Sequence, residues 1–266
     1  MNPSGGKSSV RTPAVAGYFY PADAVVLRAE LNGLMRLARP SDIEPLALVA
    51  PHAGYVYSGP IAASAYTTLT AIADRIRRVV VAGPSHRVPF TGIALSGASA
   101  YETPLGQVPL DDAATRQLSE LDCVNVLDIA HASEHSIEVQ IPFLQTVLDD
   151  FLLVPLVVGE AKPEEVATVF EMLGGPDTLF VISTDLSHYH DYNTARMIDH
   201  ETATAIESLQ HESIGPENAC GCRPLNGLLS YAHRHDLQPT RLDLRNSGDT
   251  AGDRRSVVGY AAYAFC

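Results

Sequence analysis

Apolar positions along this chain recur in two rhythms that alternate. Over residues 24–38, Val26, Leu27, Leu31, Leu34 and Leu37 fall at three- and four-residue intervals between Asp23 and Pro40. That is the spacing of an amphipathic helix with a capping residue before it and a breaker after it. Runs at residues 46–50, 78–83, 151–158 and 179–183 are apolar almost without interruption and are bounded by Pro, Gly or Ser, as in strands buried on both faces. Helical patterns separate these runs. Residues 59–73 are Ala-rich, residues 111–120 are amphipathic, and Ile137, Ile141, Leu144 and Leu148 form a stripe in which Pro142 starts or kinks a helix. Residues 162–173 open with Pro163, Glu164 and Glu165, a favourable helix start, and residues 194–209 continue the series. The alternation predicts an α/β fold, a three-layer α/β/α domain with a mainly parallel sheet. Residues 240–245 and 256–265 read as two strands around the turn-rich stretch 246–252, so the C-terminal edge is expected to be antiparallel. The Gly/Ser-rich start predicts a flexible tail over residues 1–11. The absence of a linker or repeat beyond it predicts a single domain over residues 12–266.

Composition narrows the classes of function. Apolar residues make up 46% of the 266 and charged residues 18%, enough for a large core and too little polarity for general disorder. The net charge of −13 repels phosphate backbones, and no basic patch offsets it, so nucleic acid is not an expected partner. Residues 151–159 and 257–266, the longest apolar stretches, fall short of a membrane span, and residues 1–11 lack the apolar core of a secretory leader. The four cysteines do not form a disulfide framework, which points to a reducing, cytoplasmic setting. Ten histidines beside four methionines and no tryptophan are the compositional feature that suggests chemistry.

In an open α/β sheet, ligands bind beyond the carboxyl ends of the strands, and here several apolar runs end in reactive residues. Residues 46–50 lead into Pro51-His52-Ala53-Gly54-Tyr55, residues 78–83 into Pro84-Ser85-His86, and residues 179–182 into Ser183-Thr184-Asp185-Leu186-Ser187-His188. His131, Glu134 and His135 precede the stripe that starts at Ile137. A lone loop histidine is usually only hydrogen-bonded or solvated, but histidines at equivalent strand ends converge, and gathered imidazoles suit a first-row transition metal. Tyr55 and Tyr57 are candidates for the same pocket or for ordinary half-buried aromatics. In Cys220-Gly221-Cys222 the second pair that structural zinc requires is missing, whereas one thiol beside His52 and His86 would complete a three-donor set. Asp185 and His188 have the spacing of a hydrogen-bonded acid and base. Nucleophile-elbow, dinucleotide-binding and Walker A motifs are all absent.

Six ordered motifs carry a resemblance: Ala16-Gly17-Tyr18-Phe19-Tyr20-Pro21, Pro51-His52-Ala53-Gly54-Tyr55 with Tyr57-Ser58-Gly59, Gly83-Pro84-Ser85-His86, Glu102-Thr103-Pro104-Leu105-Gly106, Glu134-His135-Ser136-Ile137-Glu138, and Ser183, Asp185 and His188. From about residue 12 to the C-terminus the chain resembles the Memo-like family, whose prokaryotic members are known as AmmeMemoRadiSam system protein B. The resemblance implies a fold similar to the class III extradiol (LigB-type) ring-cleaving dioxygenases, which hold non-haem iron with two histidines and a carboxylate. Carried over by motif, His52 and His86 take the histidine ligand positions. Cys220, in a C-G-x-x-P context, takes the carboxylate's place. Cys222 is then a bystander, a disulfide partner or an alternative ligand. His188 matches the dioxygenases' acid/base histidine, with Asp185 in the same loop. Tyr55, Ser85 and His135 are candidate pocket residues beside them. The family is associated with iron or copper redox chemistry, with phosphotyrosine-peptide binding in animals, and with a radical-SAM partner in prokaryotes. The leading expectation is a cytoplasmic iron- or copper-binding redox protein. The alternatives are a metal-free module binding a phosphate, carboxylate or peptide ligand through the same histidines, and a non-haem iron dioxygenase.

Overall fold

A computed structural model describes residues 9–39 and 41–266. Residues 1–8 of the expected tail, and Pro40, the expected helix breaker, lie outside the described residues. In chain order the elements begin with β1 (Val10–Arg11), α1 (Ala24–Leu37), β2 (Ala47–Ala50), α2 (Tyr55–Tyr66), β3 (Arg78–Pro84), β4 (Ile93–Leu95), β5 (Ala100–Thr103) and β6 (Gly106–Pro109). Then come α3 (Asp112–Leu118), β7 (Val124–Val126), α4 (Asp128–Ala132), α5 (Ile141–Val147), β8 (Leu152–Val158), α6 (Pro163–Leu173) and β9 (Thr178–Ser183). The chain closes with β10 (His188–His190), α7 (Tyr192–Glu207), α8 (Cys222–Arg234), β11 (Pro239–Asn246) and β12 (Val257–Phe265).

The main sheet runs β10-β12-β2-β9-β3-β8-β4-β7, with β11 on the other side of β12. Its centre, β2-β9-β3-β8, is parallel. β11 pairs antiparallel with β12 over Pro239↔Phe265 to Asn246↔Gly259, as the C-terminal pattern predicts. A further antiparallel neighbour, β4 against β8, is too short to show in the sequence pattern.

The uninterrupted apolar runs become central strands because both of their faces are covered. Leu48, Ala50, Val79, Val81, Leu179 and Val181 face one half of the core, with Leu27, Leu31, Ile61 and Phe143 from α1, α2 and α5. Ala47, Val49, Val80, Ala82, Phe180 and Ile182 face the other, with Phe170, Ala203 and Leu228 from α6, α7 and α8. The period-two alternation of strand side chains thus divides each run between two helical layers.

α8 escapes periodicity reading because Pro224 and Gly227 lie inside it. Pro224 is harmless in the first turn, where no intrahelical N–H donation is required. Gly227 lets α8 approach α6 closely: a Cβ there would stand 2.3 Å from Val166 Cγ1.

Residues 10 and 11, expected to belong to the flexible tail, instead form a strand. Val10 and Arg11 pair in parallel with Ala100 and Tyr101 of β5. Arg11 is buried against Glu138, whose carboxylate also accepts the N–H of Ala14 and Val15 and the hydroxyl of Tyr20. Arg11 further donates to the carbonyls of Glu134 and His131, which ties the start of the chain to the segment carrying His135.

Candidate metal centre

Parallel pairing of β2 with β9, and of β9 with β3, sets three carboxyl ends side by side. His52 follows β2, His86 follows β3, and Asp185 follows β9. Cys220 arrives from a fourth direction, immediately before Gly221 at the start of α8. Donor atoms of His52, His86 and Cys220 all lie within 4.8 Å of one another. Cys220 Sγ is 3.4 Å from His52 Nε2, and the two imidazole rings meet edge to face at 5.1 Å.

Hydrogen bonding fixes which nitrogen each ring presents. Ser183 Oγ donates its one proton to the Ser136 carbonyl at 2.5 Å and accepts from Gln140 Nε2 at 2.8 Å. Its remaining contact, 2.8 Å from His52 Nδ1, is therefore one in which the imidazole donates. His86 Nδ1 donates to the carboxylate of Glu134 at 2.9 Å. With Nδ1 donating on both rings, Nε2 is the nitrogen each leaves for a ligand, and the Glu134–His86 pair is the carboxylate–histidine arrangement common around bound metals. Burial, followed by the neighbouring imidazoles of His86, His135 and His188, holds His52 well below its ordinary range, so it is neutral at pH 7. Burial alone would raise Glu134, but the bonds from the His86 ring and the main-chain N–H groups of His86 and Ser136 bring it to about 2. Burial, reinforced by the Asp185 carboxylate, pushes the Cys220 thiol up to about 12, so the sulfur keeps its proton unless a cation replaces it. Two imidazoles and one sulfur are donors for a first-row transition ion, not for magnesium or calcium.

A cavity of about 850 Å³ opens over these donors. His135 lines it, stacked on His86 at 4.6 Å and backed by Phe19 at 4.7 Å. His188 and His190 line it from β10. Tyr189 between them takes φ 63°, a strained conformation for a bulky residue, where the register against β12 shifts. Tyr57, Tyr260, Glu217 and Asp253 complete much of the wall, and Lys and Arg are absent from the lining among the described residues.

Several sequence expectations need correction. Asp185 and His188 share no hydrogen bond among the described residues. Asp185 Oδ1 instead accepts the main-chain N–H of His52 at 2.8 Å, and burial raises its carboxyl to about 6. Tyr55 does not line the cavity: α2 begins there and turns it into the core, where its hydroxyl donates to the Val139 carbonyl, leaving Tyr57 at the rim. Ser85 also points away, donating to the Val88 carbonyl at 2.6 Å. Cys222 is a free thiol packed in the core on the α6–α8 side of the sheet, neither disulfide partner nor member of the converging set. His131 is a buried structural residue, accepting from Tyr101 Oη and donating to the Ala94 carbonyl. Conversely, sequence reasoning attached no orienting role to Glu134, Gln140, Ser183 or Thr184. Glu134 and Ser183 carry a signal as members of the ordered motifs, whereas Gln140 and Thr184 show only that each is a polar residue inside or beside an apolar run.

Comparison with known proteins agrees with this architecture. A family model described as Memo-like protein matches residues 11–264. The MEMO1 family protein Mbar_A1422 of Methanosarcina barkeri is 36% identical over 269 residues, covering 95% of this chain and 98% of its own. A MEMO1 family protein of Aquifex aeolicus is 36% identical over 273 residues (96% and 99%), and one of Sulfolobus acidocaldarius is 33% identical over 282 residues (96% and 99%). The fold is shared with the crystal structure of the uncharacterized protein JW3007 from Escherichia coli K12, at TM-score 0.51 and 16% identity, covering 82% of this chain and 99% of that one. A family match spanning nearly the whole chain, with relatives aligned end to end, shows that this protein belongs to the Memo-like family.

Proposed function

We propose that this protein binds iron or copper through His52 Nε2, His86 Nε2 and Cys220 Sγ and uses the ion in redox chemistry in the reducing cytoplasm. One observation carries the reading: two imidazoles, each with Nδ1 held by a protein acceptor and Nε2 left for a ligand, converge with a cysteine sulfur within 4.8 Å. A bound ion would supply one-electron chemistry at an electron-rich sulfur-containing centre. The chain's own residues have definable tasks around it. Glu134 and Ser183 hold the rings, Asp185 holds the His52 main chain, and His188 stands at the cavity wall as a proton carrier for a ligand. A thiolate in place of a carboxylate keeps the same formal charge but is a softer, more electron-donating ligand that changes the redox character of the centre, so ring cleavage does not follow from the fold.

A metal-free anion pocket is the weaker reading. The carboxylates of Asp185, Glu217 and Asp253 share the cavity with the histidines, and His52 stays neutral. Metal analysis of protein purified anaerobically tests the proposal. Wild type should carry close to one iron or copper per chain, and a His52→Ala/His86→Ala variant should carry none. Equal, weak binding by both would refute it.

A further inference from the structure

Two of the three donors are held from a single strand end. As β9 runs out, Ser183 Oγ takes the His52 Nδ1 proton and Asp185 Oδ1 takes the His52 main-chain N–H. The Asp185 main-chain N–H points at Cys220 Sγ across 3.3 Å, and the Cys220 N–H returns to the Asp185 carbonyl at 3.2 Å. Thr184, between these residues, is fully buried at 0% exposure. Its hydroxyl accepts the Gly221 N–H at 2.9 Å, donates to the Asp185 carbonyl at 2.8 Å, and lies 3.8 Å from Cys220 Sγ. The cysteine loop is pressed onto the strand: a Cβ on Gly221 would stand 2.7 Å from both the Ser183 carbonyl oxygen and Thr184 Cβ.

We infer that Thr184 is a positioning residue for the metal-binding sulfur. Its one hydroxyl ties the Gly221 N–H to the Asp185 carbonyl, keeping the Asp185 N–H on Cys220 Sγ and the sulfur beside His52 Nε2. An N–H directed at a thiolate draws electron density from it, so this linkage governs both how tightly an ion is held and how strongly the sulfur donates to it. The inference rests on the metal reading above. A residue that only fills space between β9 and α8 would affect stability and leave the centre unchanged.

Cobalt(II) titration under anaerobic conditions separates these cases, reading affinity and the thiolate-to-cobalt charge-transfer absorption together. Thr184→Val keeps the branched shape, removes the hydroxyl and leaves the Gly221 N–H without an acceptor. It should bind cobalt about 10- to 100-fold more weakly, with a displaced or weakened band, and Thr184→Ser should restore both. Thr184→Ala carries the same expectation if valine disturbs folding as judged by far-UV circular dichroism. A folded Val or Ala variant with the wild-type band and affinity would overturn the inference, as would failure of serine to restore them. Unfolding of both variants beside a folded Thr184→Ser also counts against it, because positioning predicts a folded protein with an altered centre. A wild type that shows no thiolate band refutes the metal reading itself, a result obtained before any variant is made.

Discussion

Glu134→Gln is the sharpest test of how this site is held together. Glu134 Oε1 accepts from His86 Nδ1, from the His135 N–H and from the Ser136 N–H, each at 2.9 Å, while Oε2 accepts the His86 N–H at 2.7 Å. Glutamine has the same shape but only one oxygen. Its best orientation leaves the oxygen with the three donors and sets the NH₂ against the His86 N–H, donor facing donor. The carboxyl is held at about 2 against an ordinary 4.5, a difference worth about 3 kcal/mol in favour of the ionised form. For a carboxylate with a depressed pKa, that stabilisation is fully present above pH 4.5 and is lost as pH falls toward 2. Wild type should therefore exceed Glu134→Gln by about 3 kcal/mol at pH 7 and pH 5, with the gap closing by about 1.4 kcal/mol per pH unit below 4.5. Urea unfolding followed by far-UV circular dichroism at pH 7, 5 and 3.5 measures it, since the chain has no tryptophan to report by fluorescence. A gap below about 1 kcal/mol at pH 7, or one that does not narrow in acid, would refute the reasoning, because surface-like carboxylates give such values.

Two further outcomes follow from the fold. Gly227→Ala places a methyl 2.3 Å from Val166 Cγ1 and should lower the melting temperature by about 2 to 12 °C, the consequence of about 1–3 kcal/mol of overpacking in a chain of this size; an unchanged or higher value would show that α6 and α8 can separate freely. His131 has its pKa lowered to about 4 by burial, so the unfolded chain takes up this proton first and the folded state loses stability as pH falls from 6.5 to 4. Across that range wild type should lose about 3 kcal/mol more than His131→Gln in urea titrations, and parallel pH profiles would contradict the assignment.

How much of the protein was legible depended on how local the determining physics is. The central strands were readable because an uninterrupted apolar run has only one stable home, between two helical layers. The runs at residues 46–50, 78–83, 151–158 and 179–183 became Ala47–Ala50, Arg78–Pro84, Leu152–Val158 and Thr178–Ser183. α8 was hidden because Pro224 and Gly227 look like breakers until one knows that the first lies in a first turn and the second faces Val166. Tyr55 and Tyr57 differ by two positions, and only the start of α2 between residues 54 and 55 sends one to the core and the other to the rim.

The chain by itself determined the α/β alternation, the antiparallel C-terminal pair and the family, because these are written in residue periodicity and in ordered motifs. It also marked His52, His86 and Cys220 as donors of the right chemical kind. Tertiary structure alone decided that the three converge, since parallel pairing of β2, β9 and β3 aligns the strand ends that carry His52 and His86, and the start of α8 brings Cys220 onto the end of β9. It alone assigned the ring protons, because Ser183 and Glu134 reach their histidines across 131 and 48 residues. Periodicity reports burial, which is set within a few residues. A hydrogen-bond tautomer or a thiol held against a main-chain N–H depends on atoms from distant segments meeting within about 3 Å, a distance that only the assembled sheet imposes.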